Sequence, residues 1–292
     1  MSTPTIAPPA DSTPTIAGRT PGQELVRALT DAPEVAVDLA VSLPTTFPFF
    51  ATRPRYTVRH LLNTAPADTD EVSYVEEPSG AGTPSQSGTS YAASPEAAFE
   101  PRIARAELTE VRATVPLPTG LVDHPELLAS YVDRRVVVRL CTVENEVLLH
   151  GNDDATIPGL LNARGRCTAR GRGRLEVDLA WAAALVEETG GSCDGAVVHP
   201  DLYWTLVANG QLARLNAVGV RVSRTRMIAR SQALLGDFRA VATLLDPARS
   251  RLVLRRGTGS GERDVVEAVE WLGLAVHLAQ HLVLVDLGEM AQ

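Results

Sequence analysis

The stretch DHPELLASYVDRRVVVRLCTVENEV, from Asp123 to Val147, predicts the helix around which the rest of the chain is organised. Asp123 is a favourable N-cap, Pro125 suits a first turn, and Glu126 completes the spacing of a capping box. Apolar residues then follow at helical spacing: Leu127, Leu128, Tyr131, Val132, Val136 and Leu140. At about 1.5 Å per residue this helix is roughly 35 Å long, which is long enough to be the backbone of a domain.

The chain before this helix predicts an extended hairpin. Residues 55–63 and 71–76 have strand character, which resumes at residues 105–115. Between these strands, residues 78–95 are uncharged and rich in serine, glycine and proline, a composition typical of a flexible loop. A strand, a long loop and a further strand predict an arm that projects from a compact body.

The N-terminal region predicts a disordered tail followed by a short amphipathic helix. The first 21 residues are rich in proline and threonine. They contain the segment Ser-Thr-Pro-Thr-Ile-Ala twice, which could be a bivalent docking peptide or a neutral duplication. A helix is predicted over residues 23–30, with Leu25, Val26 and Leu29 on one face, and Pro33 ends it. Three phenylalanines at residues 47–50 then lie in an extended, proline-rich stretch.

Beyond Gly151 helices and strands alternate, which predicts a mixed layer. The predicted elements are helices over residues 177–188 and 200–208 and strands over residues 196–198 and 218–222. From Phe238 the chain is mostly strand-forming, with a glycine-rich hairpin loop at residues 257–261. Residues 265–278 fit either a strand or a helix. The fold class predicted for the whole chain is α+β.

The composition excludes several classes of protein. The chain has 292 residues, 45% of them hydrophobic, and a net charge of −8, which argues against general coating of nucleic acid. We see no apolar run of membrane-spanning length and no secretory signal, and three scattered cysteines fit a reducing cytosol. All 27 basic residues are arginine. The absence of lysine excludes a phosphate-loop lysine, a Schiff-base lysine and a lysine general base.

Few residues are candidates for site chemistry. Cys141 has histidines elsewhere in the sequence but no evident third group to orient one, and Cys193 and His199 are too far apart for a typical metal pair. Both cysteines are therefore predicted to be structural. The turn at residues 152–154 is predicted to be a capped turn rather than a calcium loop. We expect no catalytic residue, no metal and no cofactor.

One basic cluster is evident in the sequence. It consists of Arg164, Arg166, Arg170, Arg172 and Arg174, interleaved with glycines. The cluster could bind an anion, RNA or an acidic cargo surface. It could equally be a solvated loop or a strip of ion pairs between subunits.

Five segments, in this order, resemble the family of tailed-phage major capsid proteins and encapsulins, which share the Hong Kong 97-type fold. They are VSYVEE at residues 72–77, the helix start at 117–131, ENEVLLHGN at 144–152 followed by IPGLL at 157–161, AVVHP at 196–200, and residues 219–238, which end in ALLGDF. Each segment alone is common. Their order and spacing between residues 72 and 287 carry the resemblance.

The resemblance implies an architecture of four parts after the tail at residues 1–21. These are an N-terminal arm at 22–57, an extended loop at 58–108, a peripheral domain at 109–158 and 238–292 that contains the long spine helix, and an axial domain at 159–237. Some capsids of this fold crosslink through a lysine of the extended loop, which this chain lacks. A fused scaffolding segment is also not expected, because the residues before the loop are proline-rich rather than helical and charged. Both departures favour an encapsulin over a virion.

We therefore predict a non-enzymatic shell protein that self-assembles into an icosahedral nanocompartment in the cytoplasm and encloses a cargo enzyme. Leu25, Val26 and Leu29 are the predicted cargo contacts, because encapsulins use inward-facing N-terminal elements. The alternative is the major capsid protein of a tailed phage or prophage, located in the virion, and only this alternative implies a nucleic-acid partner. A third hypothesis is a small soluble enzyme that uses Cys141 or Cys193. No membrane partner is expected.

Overall fold

The computed structural model describes residues 18–46, 57–77, 101–257 and 262–288. The repeated N-terminal segment, the three phenylalanines at residues 47–50, the loop at 78–95 and residues 258–261 of the hairpin loop lie outside these ranges.

Helices and strands in the described ranges are numbered in chain order. They are α1 (Pro21–Arg27), β1 (Glu34–Leu39), α2 (Leu43–Thr46), β2 (Asn63–Pro66), β3 (Glu71–Glu76), β4 (Arg102–Glu107), β5 (Thr109–Pro116), α3 (Pro125–Tyr131), α4 (Val137–His150), β6 (Cys167–Arg170), α5 (Leu175–Glu188), β7 (Gly195–Val198), α6 (Pro200–Ala208), α7 (Gln211–Ala217), β8 (Arg221–Arg224), β9 (Gln232–Gly236), α8 (Phe238–Val241), β10 (Ala242–Asp246), β11 (Ser250–Arg255), β12 (Val265–Val276) and β13 (Leu282–Asp286). Short 3₁₀ turns lie at Arg59–Leu61, Leu121–Asp123 and Ala279–His281.

The long helix is continuous from α3 to α4 through a π-helical segment at Val132–Val136. We call this whole element the spine helix. Its inward side is fully buried in the main core, for example at Leu128, Val136, Leu140 and Leu148. The predicted helix is confirmed. Its predicted cap is wrong, because Asp123 lies in the preceding 3₁₀ turn and the N-cap residue makes no side-chain capping bond.

The larger sheet has the strand order β1-β11-β12-β10-β2, with β5 also paired to β12. β12 is antiparallel to β11 and β5 over its first half and to β10 over its second half. This pairing decides between the two predictions for residues 265–278, because a stretch that bonds to neighbours on both sides must be a strand. The spine helix packs against this sheet, and together they form the main core.

The smaller sheet has the order β6-β13-β9-β7-β8, and α5 packs against β13 and β9. It encloses a second core with residues of α5 and α6. The last strand of the chain belongs to this smaller sheet. The 3₁₀ turn at Ala279–His281 reverses the chain after β12. β13 then pairs with β9 and β6.

The predicted projecting hairpin is present as a two-stranded ribbon of β3 and β4. β3 matches its predicted bounds. Two other predictions were wrong. Residues 55–63 were predicted to be one strand, but they include the 3₁₀ turn at Arg59–Leu61 and only the first residue of β2. Residues 105–115 were predicted to be one strand, but they divide at Leu108 between the ribbon and the larger sheet.

The remaining differences are local. α6 has its predicted bounds, and the predicted helix at residues 177–188 begins two residues earlier as α5. α7 was not predicted, and none of its residues is buried, so its apolar pattern is weak. The helix predicted over residues 23–30 is α1, which begins at Pro21 and ends at Arg27.

Candidate functional site

The strongest concentration of charge within the cores surrounds one arginine. Arg59 is only 6% exposed. Its Nε donates to Oε1 of Glu144 at 2.5 Å, and its Nη1 donates to Oδ2 of Asp246 at 2.6 Å. Its Nη2 donates to Oε2 of Glu270 at 3.3 Å. We call these four residues the Arg59 cluster.

The Arg59 cluster joins parts of the chain that are remote in sequence. Arg59 begins the 3₁₀ turn that leads toward the ribbon, Glu144 belongs to the spine helix, and Asp246 and Glu270 belong to β10 and β12. Ser42, which follows β1, also donates its hydroxyl to Glu270 at 3.4 Å. The cluster therefore joins the segment after β1, the turn before β2, the spine helix and the larger sheet at one point.

Charge in the Arg59 cluster is not balanced, because one guanidinium faces three carboxyl groups. Glu144 and Glu270 are completely buried, and one oxygen of each has no hydrogen-bond partner among the described residues. Burial raises the pKa of Glu270 well above its usual value. Repulsion from Glu144 adds to this, and Arg59 offsets only part of it. Burial also raises the pKa of Glu144. A buried carboxylate that lacks a donor is costly, so the geometry favours a proton on Glu270.

On the same strand, a second buried glutamate has two cations around one carboxylate. Glu267 is 3% exposed and contacts two guanidiniums, with 2.6 Å to Arg112 and 2.8 Å to Arg255. Glu267 and Glu270 interrupt an apolar stretch of the sequence that begins at Val265. That interruption was the available signal for both sites, whereas no sequence feature marked Arg59 as the partner.

Of the predicted cargo-contact residues, Leu25 and Val26 lie on α1, and Leu29 follows its end. Leu25 is completely buried in the chain's own main core, so its side chain is not available to a partner while α1 stays in place. Val26 and Leu29 are half-buried and pack against that core. The physical reason is the close packing of α1 on α3, where a Cβ on Gly22 would lie 2.2 Å from the carbonyl oxygen of Ala129.

A groove of about 980 Å³ lies between α1 and the spine helix. Of the three predicted contact residues, Val26 lines this groove. The other lining residues include Arg19, Arg27, Asp133 and Arg134. The lining of the groove therefore combines positively and negatively charged side chains with apolar ones.

The predicted arginine cluster lies on β6 and the turns at its two ends. Arg164, Arg170, Arg172 and Arg174 are exposed, and Arg166 is half-buried. β6 is an edge strand, paired only with β13 within the described residues. The structure thus brings the five predicted residues together along one border of the smaller sheet.

Exposed apolar side chains mark two further surfaces. Val75 and Ile103 pair directly across the ribbon and are 52% and 79% exposed. The other face of the ribbon, with Val72, Tyr74 and Ala106, packs on the body. Trp204 on α6 is 58% exposed, and Arg224 lies over its ring with 5.0 Å to the centroid.

The candidate cysteines are placed in unreactive surroundings. Cys141 and Cys193 are buried, and burial raises the pKa of both thiols, that of Cys193 to about 11. His150 is engaged with the carbonyl oxygen of Met227. Within the described ranges no group of three His, Cys, Asp or Glu side chains is arranged to hold a metal ion, and none of the helices there is long and apolar enough to cross a membrane. The turn at Asn152 is capped by its own side chain, as predicted.

No family model matches the sequence, and no curated protein matches it. Solved structures do match the fold. The chain is similar to a virus-like particle from Pyrococcus furiosus, with a TM-score of 0.56 and 11% identity over 85% of this chain and 97% of that chain. It is similar to the capsid of a native GTA particle, with a TM-score of 0.53 and 15% identity over 80% of this chain and 96% of that chain.

A chain from a structure of Microbacterium phage Oxtober96 matches with a TM-score of 0.54 and 14% identity, over 77% of this chain and 89% of that chain. Identities this low show the fold alone. The matches extend over nearly the whole length of each of these particle chains. This chain therefore has the Hong Kong 97-type capsid fold.

Proposed function

We propose that this chain is a structural shell subunit that assembles with copies of itself into a closed icosahedral particle. The observation that carries the proposal is the fold match to a virus-like particle over 97% of that chain. The exposed Val75–Ile103 pair on the ribbon supports it, because an apolar pair on a projecting element gains stability when a neighbour covers it. Function then resides in assembly rather than in catalysis.

The finer form of the proposal is an encapsulin-type nanocompartment in the cytoplasm that encloses a cargo enzyme. The lack of lysine supports it, because crosslinking through a lysine of the extended loop is impossible. The alternative is the major capsid protein of a tailed phage or prophage. The GTA and phage matches favour the alternative as strongly as the Pyrococcus match favours the compartment.

Size-exclusion chromatography with light scattering tests the shell proposal. The full chain, expressed alone, is expected to elute as one species with the mass of many copies. A monomer or dimer with native far-ultraviolet circular dichroism would contradict assembly and reopen the hypothesis of a small enzyme.

The contents of particles purified from the natural host separate the two finer forms. A single co-purifying enzyme in stoichiometric amount supports the compartment, whereas nuclease-protected genomic DNA supports the capsid. For the compartment we propose that cargo contacts the N-terminal region, with Val26 at the groove between α1 and the spine helix. Deleting residues 2–17 is expected to empty the particles without preventing assembly, and unchanged loading would contradict a role of that segment.

A further inference from the structure

The arginines around β6 lack carboxylate partners. None of Arg164, Arg166, Arg170, Arg172 and Arg174 makes an ion pair with a carboxylate in the described part of the chain. The chain as a whole is acidic, with a net charge of −8. An unpaired cluster of cations on an acidic protein is a local feature that overall charge does not explain.

The larger sheet shows that such pairing is normal elsewhere in this chain. β11, which lies between β1 and β12, carries exposed arginines at Arg251 and Arg255, and each contacts a carboxylate of β1. Arg251 lies 2.6 Å from Asp38, and Arg255 lies 2.9 Å from Glu34. The four-residue spacing of this pair is the same as that between Arg170 and Arg174. The arginines around β6 differ because none of them forms an ion pair in the described part of the chain.

The carboxylate of Asp178, close to the arginine turn, accepts hydrogen bonds from the backbone. Asp178 is 1% exposed, and its carboxylate accepts from the backbone N–H groups of Arg172 and Arg174 at 2.9 and 3.0 Å. A Cβ on Gly171 would lie 2.9 Å from that carboxylate, so the turn is packed closely against it. Asp178 thus fixes the path of the main chain and leaves the guanidiniums of Arg172 and Arg174 to other partners.

Two individual side chains are also held in place. The guanidinium of Arg172 lies over the ring of Trp181, with 5.6 Å to the centroid, a cation–π distance that orients the group. Arg166 is half-buried, and its Nε has no hydrogen-bond acceptor among the described residues. Burial lowers the pKa of Arg166. An anion at this position would supply the missing acceptor.

The chemistry of the arginines indicates the kind of anion. Five arginines lie between residues 164 and 174, with Arg170 at the end of β6 and the other four in the turns that flank it. A nucleic-acid strand carries one phosphate charge for each step of about 3.4 Å, so several neighbouring guanidiniums can contact one strand. Planar guanidiniums bind phosphate in a two-pronged manner.

We propose that the edge formed by β6 and its flanking turns binds the phosphate backbone of a nucleic acid without reading its sequence. This surface is independent of whether the particle encloses an enzyme or a genome. Phosphate contacts alone give affinity and salt dependence but no base preference. The ligand class is therefore single-stranded or duplex nucleic acid of any sequence.

The test compares two matched double variants of the full chain. Arg170→Gln with Arg174→Gln removes unpaired arginines, and Arg251→Gln with Arg255→Gln removes paired ones at the same spacing. Binding of a fluorescein-labelled 20-nucleotide single-stranded DNA is followed by anisotropy between 50 and 200 mM NaCl. Nuclease-protected nucleic acid that co-purifies with assembled particles is measured in parallel, so that an inward-facing surface is also detected.

The wild type is expected to bind with affinity that falls steeply with salt. The Arg170/Arg174 variant should lose about tenfold in affinity, and the slope of log K against log salt should decrease by roughly 1.4, which is about 0.7 for each lost phosphate contact. The Arg251/Arg255 variant should bind like the wild type. Circular dichroism at the assay temperature confirms that both variants are folded, and the Arg251/Arg255 variant is expected to melt lower because Arg255 also pairs with the buried Glu267.

Three results would overturn the proposal. One is a wild type with neither DNA binding nor protected nucleic acid. Another is an equal loss of affinity in both double variants, which would show a general charge effect. The third is displacement of the DNA by polyglutamate at lower concentration than by unlabelled DNA, which would assign the surface to an acidic protein partner instead.

Discussion

Arg59 and Glu144 lie 85 residues apart in the sequence, and Nε of the arginine donates to the glutamate at 2.5 Å in the interior of the protein. Glu144 is completely buried, and Arg59 is nearly so. The pair therefore links the segment before β2 to the spine helix by a polar contact in the main core. Two further carboxyl groups share the same guanidinium.

Replacing Arg59 should be among the most destabilising single changes in the chain. Arg59→Met keeps much of the volume but leaves three carboxyl groups without their cation. Breaking a buried ion pair from one side typically costs about 3–5 kcal/mol. Urea denaturation should show this loss in the free energy of unfolding. Arg249→Gln is the control, because Arg249 forms an exposed pair with Asp70 and its loss should cost less than about 1 kcal/mol. Similar costs for both variants would contradict the assigned role of Arg59.

Stability should fall as pH rises, through Glu270. The pKa of this carboxyl is raised in the folded protein, so the folded state retains a proton that the unfolded state loses above about pH 4.3. The stabilisation is complete below that pH and is lost as the pH rises through the folded-state pKa. Glu270→Gln keeps a neutral group at this position. Thermal melting between pH 5 and pH 9 should therefore be flatter in this variant than in the wild type.

The matched control for this pH effect is Glu267→Gln on the same strand. Glu267 is also buried, but two arginines compensate its charge. Its replacement should leave the wild-type decline in stability between pH 5 and pH 9 in place. If the Glu267→Gln variant flattens the profile and the Glu270→Gln variant does not, the proton has been assigned to the wrong residue.

The contact between α1 and α3 should not tolerate a residue larger than glycine at Gly22. A methyl group there would meet the backbone of Ala129 at 2.2 Å, and backbone cannot rotate away as a side chain can. Overpacking of this kind costs about 1–3 kcal/mol. Gly22→Ala should lower the melting temperature and make α1 more sensitive to proteolysis. Ser130→Ala, at an exposed neighbouring position on α3, should melt like the wild type. A wild-type melting curve for Gly22→Ala would contradict the close approach of the two helices.

The ribbon should contribute to assembly and not to folding. Ile103 is 79% exposed, so Ile103→Asp removes little buried surface from the single chain. A charge at this position should hinder burial against a neighbouring subunit. Size-exclusion chromatography should show fewer particles and more subunits, with unchanged circular dichroism. Arg105→Asp, on the same ribbon face and already charged, is the comparison. Normal assembly of the Ile103→Asp variant would remove the ribbon from the assembly surfaces.

Local patterns in the sequence predicted much of the fold but little of its polar interior. The spine helix, β3 and α6 were predicted because apolar spacing and helix-start residues are local signals. The split at Leu108 could not be predicted, since β4 and β5 differ only in which distant strand they pair with. The position of β13 depends in the same way on long-range pairing.

The candidate sites also differ in whether their residues are close together in the sequence. The arginine cluster was visible because its members are adjacent in sequence, and the structure places them on one edge. Leu25 was predicted to face a partner because an amphipathic pattern does not say whether the buried face meets the same chain or another. Arg59 was missed because nothing near it in the sequence predicts three carboxyl groups drawn from the spine helix, β10 and β12.

The most direct test of the account is negative-stain electron microscopy of the full chain, expressed alone and purified after nuclease treatment. The account predicts uniform, closed, hollow particles of one diameter. Well-folded protein that shows only particles of monomer or dimer size at every concentration would contradict the proposal that this chain builds a shell.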